Sequence, residues 1–278
     1  MSTIKQIREQ LDATESLKMV AQAYTEISAL KLEKIRSGIE KNRDFFQSIT
    51  EVYHIVNFEA AKKQIQLRPK KGTISILITS NEHFYGALEK ELVKFFILNT
   101  TKFSTDRIVI GSTAKEFLAS FNYFHPYQQI ILKRDIPTAE EMQVITNKVI
   151  NYEQIMVYYS RMHSILTQEP HVVDVVQKPP TFFLKSQASE INYIFEPELA
   201  EMLEFFEGQI TQLLIEQTFL ESELARAAAR LTSMDQAQFA ADEIILKQKL
   251  QLARAKKDIE NVTLLENIAT MKAFKDRT

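Results

Sequence analysis

The hydrophobic positions in the last third of the chain recur with an average spacing of 3.5 residues. Steps of three and four residues alternate from Leu203 to Ala269, and sixteen of the twenty positions reached are apolar. Such a repeat keeps one apolar stripe facing a partner and is typical of a left-handed coiled coil. The pattern predicts one helix roughly 110 Å long at 1.5 Å per residue, with a stripe that needs covering along its length.

The first segment of the chain is the predicted partner helix. Its apolar side chains recur at helical spacing, although with a break in register, at Ile4, Ile7, Leu11, Leu17, Val20, Tyr24, Ile27, Ile35 and Ile39. Thr14, Lys18 and Lys31 lie close to the same line. Because this helix is the shorter one, we expect it to cover much of the C-terminal helix and something else to cover the rest.

The apolar stripe of the C-terminal helix also contains glutamines, at Gln217, Gln238 and Gln248. Polar residues on such a stripe weaken a coiled coil but help to fix its register. The alternative interpretation is simple tolerance of polar side chains near solvent.

Helix-breaking residues separate the two helical segments from a different middle region. All seven prolines lie from Pro69 to Pro197, and none occurs in the first 68 residues or in the 81 that follow Pro197. Since a proline inside a helix costs about 3 kcal/mol, its absence permits long helices at both ends. We divide the chain into an N-terminal helix at 1–68, an inserted domain at 69–192 and a C-terminal helix at 193–278.

The middle region alternates β-rich runs with helical patterns. The predicted strands are 73–79, 107–111, 154–159 and 172–176, and the predicted helices are 87–96, 114–121 and 141–150. Alternating strands and helices are typical of an α/β sheet that is at least partly parallel. The predicted fold is therefore a small Rossmann-like α/β domain inserted between the two helices of an antiparallel coiled coil.

Enzymes often use α/β sheets, so the common signatures of catalytic and binding sites bear on function. The chain has five glycines and no cysteine, and it contains neither a phosphate-binding glycine loop nor a nucleophile elbow. Its five histidines lack metal-ligand spacing. The 34 Lys and Arg nearly balance the 36 Asp and Glu, which gives no support for nucleic-acid binding. We expect no catalytic residue, no cofactor, no metal and no small-molecule substrate.

The chain shows no signal for membrane insertion. It has no apolar run of 18 residues, and its charged, periodic start lacks the apolar core of a signal peptide. We expect a cytosolic protein that is able to dock onto a membrane complex.

Several motifs resemble the gamma subunit of F-type ATP synthases. Residues 193–197 read Tyr-Ile-Phe-Glu-Pro, similar to the start of that family's long C-terminal helix, and 228–230 read Ala-Ala-Arg, similar to its downstream signature. The stretch from Ile4 to Leu32 is similar to the family's first helix without a gap. The loop at 78–88 departs from the family's glycine-rich loop, so both a housekeeping subunit and a specialised second-copy relative stay open.

The resemblance implies a function for the whole chain. It implies a non-catalytic central rotor that transmits torque between an ion-driven membrane ring and a catalytic hexamer. It also implies that the C-terminal stretch beyond about Met234 is uncovered and passes through the hexamer. The implied partners are the alpha and beta subunits of the hexamer, an epsilon-type subunit and a membrane c-type ring, with protons or sodium as the coupling ion. The implied location is the cytoplasmic face of the membrane, as a peripheral protein.

The resemblance also implies particular contact residues. Contacts with the catalytic subunit are implied at Tyr24, Arg230, Lys256 and Lys257, and contacts of the foot with the membrane ring at Tyr193, Phe195 and Glu196. For each charged residue the alternative is a solvated helix face. On this basis Arg230→Ala should weaken coupling without harming the fold.

Two other functions remain open from the residues alone. The 3.5-residue repeat would equally suit a coiled-coil stalk or scaffold of another ATPase-linked assembly, such as a secretion apparatus. Such a stalk would not need the inserted α/β domain. An enzyme built on the sheet would need a phosphate loop or paired catalytic groups.

Overall fold

The computed structural model describes residues 2–63, 71–102, 104–176 and 198–275. The chain divides into two compact units, one formed by Met1–Ser28 with Leu231–Thr278 and the other by Ala29–Arg230. Two long helices contribute to both units: α1 spans Ser2–Lys62 and α5 spans Leu199–Lys275. The predicted segment boundaries at 68/69 and 192/193 lie outside the described residues, so that division stays a prediction.

The larger unit is built on a five-stranded sheet with strand order β3-β2-β1-β4-β5. The strands are β1 Lys71–Ile78, β2 Asp106–Ile110, β3 Gln128–Ile130, β4 Tyr152–Met162 and β5 Gln168–Asp174. The first four strands of that order are parallel, and β5 runs antiparallel to β4. Three helices connect the strands: α2 Leu88–Thr100, α3 Thr113–Ser120 and α4 Ala139–Val149.

Both faces of the sheet are covered, as the continuous apolar run of β1 requires. On one face, Leu77 and Tyr158 pack with Phe96 of α2 and Leu118 of α3. The other face has a larger core, formed by strand residues with side chains of α4 and α5, which include Ile76, Ile110, Val157, Met142, Ile145, Ile215 and Phe219. The long C-terminal helix is therefore part of the domain's own core.

In the same unit, α1 packs on α5 in the antiparallel sense. The buried apolar contact is formed by Tyr53, Val56 and Ala60 of α1 with Leu199 and Leu203 of α5. Nearer the start of α1, Lys31 lies beside Glu223. Later residues of α5 thus contact earlier residues of α1, so the two helices are antiparallel.

The smaller unit is a second antiparallel stretch of the same two helices. Its polar contacts join Lys18 to Asp242 at 2.6 Å, Glu15 to Lys249 at 3.2 Å, and the Gln238 amide to the Thr25 hydroxyl at 2.7 Å. Gln238 thus supports the register-fixing interpretation of the polar stripe residues.

The extent of covering differs from the sequence expectation. Ala241 and Ile245 are buried, and partial burial continues as far as Ala255. Every residue from Lys256 to Lys272 is exposed. The expected limit near Met234 is therefore wrong by about six helical turns, because α1 remains helical from Ser2 and pairs along its first turns.

The predicted architecture is otherwise confirmed: an α/β sheet lies in the chain between two long paired helices. The four predicted strands and three predicted helices are all present. The sequence analysis missed β3, whose residues Gln128, Gln129 and Ile130 carry little β-signal. Among the described residues, no helix combines the length and the apolar character needed to cross a membrane.

Candidate functional site

A stretch of α5 inside the larger unit, residues 222–230, is buried on all sides. A helix buried all round is ordinarily apolar, yet this stretch contains Glu223, Arg226 and Arg230, each at most 4% exposed. Buried charges are costly unless they are paired. Their pairing therefore determines what this region does.

Arg226 makes the innermost contacts. Its Nε and Nη2 donate to Oε2 of Glu223 at 3.1 and 2.9 Å, and its Nη1 donates to the Ser222 hydroxyl at 2.9 Å. Burial alone would lower the pKa of Arg226, but the surrounding acidic groups, Glu223 first among them, raise it overall. The guanidinium therefore stays charged.

Lys31 brings α1 into the same set of contacts. Its Nζ donates to Oε1 of Glu223 at 3.2 Å and lies 3.7 Å from Oε2 of Glu82. Glu223 therefore accepts from Arg226 with one oxygen and from Lys31 with the other. One carboxylate joins the two long helices.

Arg230 connects α5 to the loop that follows β1. Its Nη2 donates to Oε2 of Glu82 at 2.6 Å, to the Tyr85 hydroxyl at 2.7 Å and to the His83 carbonyl at 3.1 Å. The guanidinium carbon also lies 4.4 Å from the centre of the Tyr85 ring, within cation–π range. One side chain thus holds the loop through a carboxylate, a hydroxyl, a backbone carbonyl and an aromatic ring.

Two further carboxylates hold the same loop from the α/β domain. Glu89 accepts from the Ser80 N–H at 2.8 Å, and Asp135 accepts from the Ser80 hydroxyl at 2.7 Å and the Asn81 N–H at 2.9 Å. Burial raises the pKa of Glu89. Burial would raise the pKa of Asp135 as well, but Arg226 and the Asn81 N–H outweigh it and lower that pKa.

We call this set of side chains the ionic junction. It consists of Lys31, Glu82, Tyr85, Glu89, Asp135, Glu223, Arg226 and Arg230. The loop that follows β1 turns sharply at Phe84 and Gly86, both of which have a positive φ. Each carboxylate of the ionic junction accepts at least one hydrogen bond from the protein, an arrangement suited to holding elements together. Across the parts of the chain that the structure describes, no three carboxylate or imidazole groups converge as metal ligands would.

Comparison with known proteins assigns the chain. A family model described as ATP synthase matches residues 3–272. The chain belongs to the ATP synthase family. The ATP synthase gamma chain of Staphylococcus saprophyticus is 24% identical, and that of an Exiguobacterium species is 26% identical; in both cases 92% of this chain and 93% of the relative are covered. The predicted kinship with gamma subunits is confirmed.

Solved structures share the fold. The rotor of the Euglena gracilis mitochondrial ATP synthase matches with a TM-score of 0.61 at 15% identity, over 93% of this chain and 99% of that chain. The Euglena OSCP/F1/c-ring structure matches with a TM-score of 0.65 at 18% identity, over 98% and 95%. The central stalk and c-ring structure from Tetrahymena thermophila matches with a TM-score of 0.60 at 18% identity, over 78% and 99%.

The predicted contact residues of this ATP synthase family member occupy different environments. Lys256 and Lys257 are exposed at the start of the uncovered part of α5, and Tyr24 is half-buried in the smaller unit. Arg230 lies inside the ionic junction. Tyr193, Phe195 and Glu196 lie outside the described residues. The partner contacts of all seven stay predictions.

The burial of Arg230 changes what its substitution would measure. Arg230 is 3% exposed, and Arg230→Ala would leave a buried gap and remove one of the partners of Glu82 and one of the partners of the Tyr85 hydroxyl. The expectation that this substitution leaves the fold unharmed is therefore contradicted by the contacts. Lys256 and Lys257 are better suited to testing a partner contact.

Sequence reasoning missed most of the ionic junction. Glu223 and Arg226 are spaced by three residues, and Arg226 and Arg230 by four, so the charges share one helical face. That spacing was the available signal. It ordinarily indicates an exposed ion pair, and only the surrounding fold reveals the burial.

Proposed function

We propose that this chain is the central rotor subunit of an F-type ATP synthase or ATPase, transmitting torque between an ion-driven membrane ring and a catalytic hexamer. It is a non-catalytic stalk subunit in this proposal. Family membership and the gamma-chain relatives support the assignment.

The observation that carries the proposal is the uncovered part of α5. Residues 256–272 are all exposed, and their large apolar side chains range from 41% exposure at Ile259 to 73% at Met271. Six large apolar side chains thus lie in solvent within these residues, and exposed apolar surface of this kind favours an interaction site. In a rotary complex, the axis of the hexamer provides an enclosing partner.

The proposed partners are the alpha and beta subunits of the hexamer, an epsilon-type subunit and a c-type ring. The solved neighbours come from assemblies that include F1, OSCP and the c-ring in Euglena, and the central stalk and c-ring in Tetrahymena. The proposed location is the cytoplasmic face of the membrane, as a peripheral subunit.

The proposed mechanism follows from the unequal sides of the helix pair. As the pair turns within the hexamer, it presents a different side to each catalytic subunit and changes that subunit's nucleotide affinity, a coupling through packed surfaces. We assign the contacts with the catalytic subunit to Tyr24, Arg230, Lys256 and Lys257, and the contacts at the membrane ring to Tyr193, Phe195 and Glu196.

Reconstitution tests the rotor assignment. The complete complex is assembled in liposomes with and without this chain, and ATP hydrolysis and ATP-driven ion uptake are measured together. We expect uptake only when the chain is present. Uptake that proceeds equally without the chain would refute the assignment. Selective collapse of the gradient by a protonophore or by a sodium ionophore identifies the coupling ion.

The contact role of the exposed lysines has its own test. Replacing Lys256 and Lys257 together by Ala should reduce ion uptake per ATP hydrolysed while leaving the stability of the free chain unchanged, because both side chains are solvent-exposed. Lys247→Ala is the matched control, since Lys247 is exposed on the same helix and pairs only weakly with Glu243 at 4.0 Å. Equal uptake in all three proteins would eliminate the contact.

A further inference from the structure

We propose that the ionic junction is the clamp that makes α1, α5 and the α/β domain turn as one body, and that Arg226 is its positioning residue. The proposal rests on the rotor function proposed above and names the part of the chain on which torque transmission depends. Arg226 acts through the groups that it holds, since its side chain is only 1% exposed and bonds to Glu223 and Ser222.

The first argument is the position of Arg226 in the network. Among the described residues, Arg226 is the largest side chain with less than 2% exposure. Its three donors fix the Glu223 carboxylate and Ser222 on α5. The free oxygen of Glu223 is thereby aimed at Lys31 of α1. Arg226 thus fixes the group through which one helix holds the other.

The second argument concerns the α/β domain. The charge of Arg226 favours the ionised form of Asp135, and Asp135 holds the Ser80 hydroxyl and the Asn81 N–H at the carboxyl end of β1. Arg230 holds Glu82 and Tyr85 a few residues further along the same loop. The two arginines of α5 therefore act on one loop of the domain from consecutive helical turns.

The third argument is the physical difference between apolar and ionic contacts. Outside the junction, α5 contacts the sheet mainly through apolar side chains such as Ile215 and Phe219, with a hydrogen bond from the Tyr159 hydroxyl to Glu221 at 2.7 Å. Apolar packing is non-directional, so it resists separation better than it resists sliding or twisting. Charge-assisted hydrogen bonds add geometric specificity, and buried polar groups are best attested as devices that fix register. The junction supplies the directional contacts that join α5 to α1 and to the loop after β1.

The location also favours a mechanical role. Arg230 is the last residue of the larger unit along α5, and Lys31 lies two residues after its first residue on α1. The junction therefore lies at the end of the larger unit where α1 enters it and α5 leaves it. A clamp at that point fixes both helices to the domain before either one leaves it.

The test uses the complete reconstituted complex with Arg226→Met in this chain. We expect ATP hydrolysis to continue while ion uptake per ATP hydrolysed falls about fivefold, the lower end of typical coupling between sites. Arg226→Lys keeps the charge but loses the fork, and should fall in between. Tyr152→Phe is the control, because it removes the hydroxyl that donates a hydrogen bond to Asp106 in the same domain, at the amino end of β2.

A reversible covalent link distinguishes a mechanical role from a general loss of stability. A Cβ at Gly208 of α5 would lie 3.2 Å from Cδ1 of Ile150, which follows α4. The chain has no cysteine, so Gly208→Cys with Ile150→Cys adds one thiol pair, on α5 and beside α4, which a short reducible cross-linker can join. Cross-linking should restore coupling to the Arg226→Met protein, and reduction should abolish it again. Because a covalent link also stabilises a fold, the free energy of unfolding is measured on the same samples, and restored coupling without restored stability is the result that supports a mechanical role.

The outcomes separate the two proposals. If the unmodified chain supports no coupled uptake, the rotor function fails. If the unmodified chain couples and Arg226→Met couples equally well, only the clamp fails. If Arg226→Met does not assemble, Arg226→Lys and Lys31→Gln decide, since Lys31 is partly exposed and its loss should spare assembly. Normal uptake per ATP in both of these would overturn the clamp.

Discussion

Two stretches of α5, the buried residues 222–230 and the exposed residues 256–272, reverse the usual distribution of side chains. The buried stretch combines small residues such as Ala225 and Ala228 with Glu223, Arg226 and Arg230. The exposed stretch carries Ile259, Val262, Leu264, Leu265, Ile268 and Met271 in solvent. In most folded proteins charges lie outside and large apolar side chains inside. The reversal indicates that the first stretch is built to fix a register and the second to meet a partner.

The largest expected effect in this comparison comes from the buried charge. Arg226→Met should lower the free energy of unfolding of the free chain by about 3–5 kcal/mol, because it leaves Glu223 buried beside fewer cations. Urea unfolding followed by circular dichroism measures the change. Adding Glu223→Gln should recover part of the loss, since the uncompensated charge is then gone. A double variant as unstable as the sum of the two single variants would mean that the pair is not coupled.

Overpacking the buried stretch is the next effect in size. Ala228 is fully buried, and Ala228→Leu should cost about 1–3 kcal/mol because the added methyl groups have no room without backbone shifts. Ala269→Leu, in the exposed stretch of the same helix, is the matched control and should be close to neutral. Equal stability of the two variants would show that the close approach around residues 222–230 is not required.

Part of this contrast can be predicted from the sequence, and part cannot. The unbroken repeat from Leu203 to Ala269 predicts the long helix because spacing alone determines which face is apolar. Lys31 is a polar interruption near the stripe of α1, but its partner Glu223 lies 192 positions away. No local pattern pairs such residues. The end of covering near Ala255 likewise depends on how the two helices are aligned, which a repeat leaves undetermined.

Within the sheet, β1 can likewise be predicted from its own residues, whereas β3 cannot. β1 is buried on both faces and carries the apolar run Ile74-Ser75-Ile76-Leu77-Ile78, so its sequence is sufficient to predict it. β3 is a three-residue edge strand beginning Gln128-Gln129, and it forms because β2 offers its unpaired edge. Its signal therefore comes from tertiary structure.

A smaller, pH-dependent effect probes Glu89. Burial raises the pKa of Glu89 above its value in the unfolded chain, so the folded state binds this proton more tightly. The resulting contribution to stability is present at low pH and is lost as pH rises from the unfolded pKa of about 4.3 through the folded value. Glu89→Gln does not ionise, so its stability relative to the parent chain should rise from pH 4 towards neutrality.

Unfolding free energies at several pH values measure this difference. Asp135 titrates in the opposite direction, since its folded pKa is lowered, but it is present in both proteins and largely cancels. A constant difference between Glu89→Gln and the parent chain across this range would contradict the assignment of a raised pKa to Glu89.

The smallest expected effect on stability comes from the exposed stretch, and it is the one that best separates the two regions. Leu265 is 66% exposed, so Leu265→Ser should change the free energy of unfolding by no more than about 0.5 kcal/mol. The same substitution should weaken binding of the chain to the isolated hexamer, because an apolar side chain that meets a partner loses its buried area there. Arg226→Met is expected to show the opposite balance: a large change in unfolding and, once assembled, a smaller change in hexamer binding, since Arg226 is buried. Titration of the hexamer with labelled chain, beside urea unfolding of the same two variants, gives both numbers. If Leu265→Ser bound the hexamer as tightly as the parent chain, the exposed apolar residues would need an explanation other than this partner.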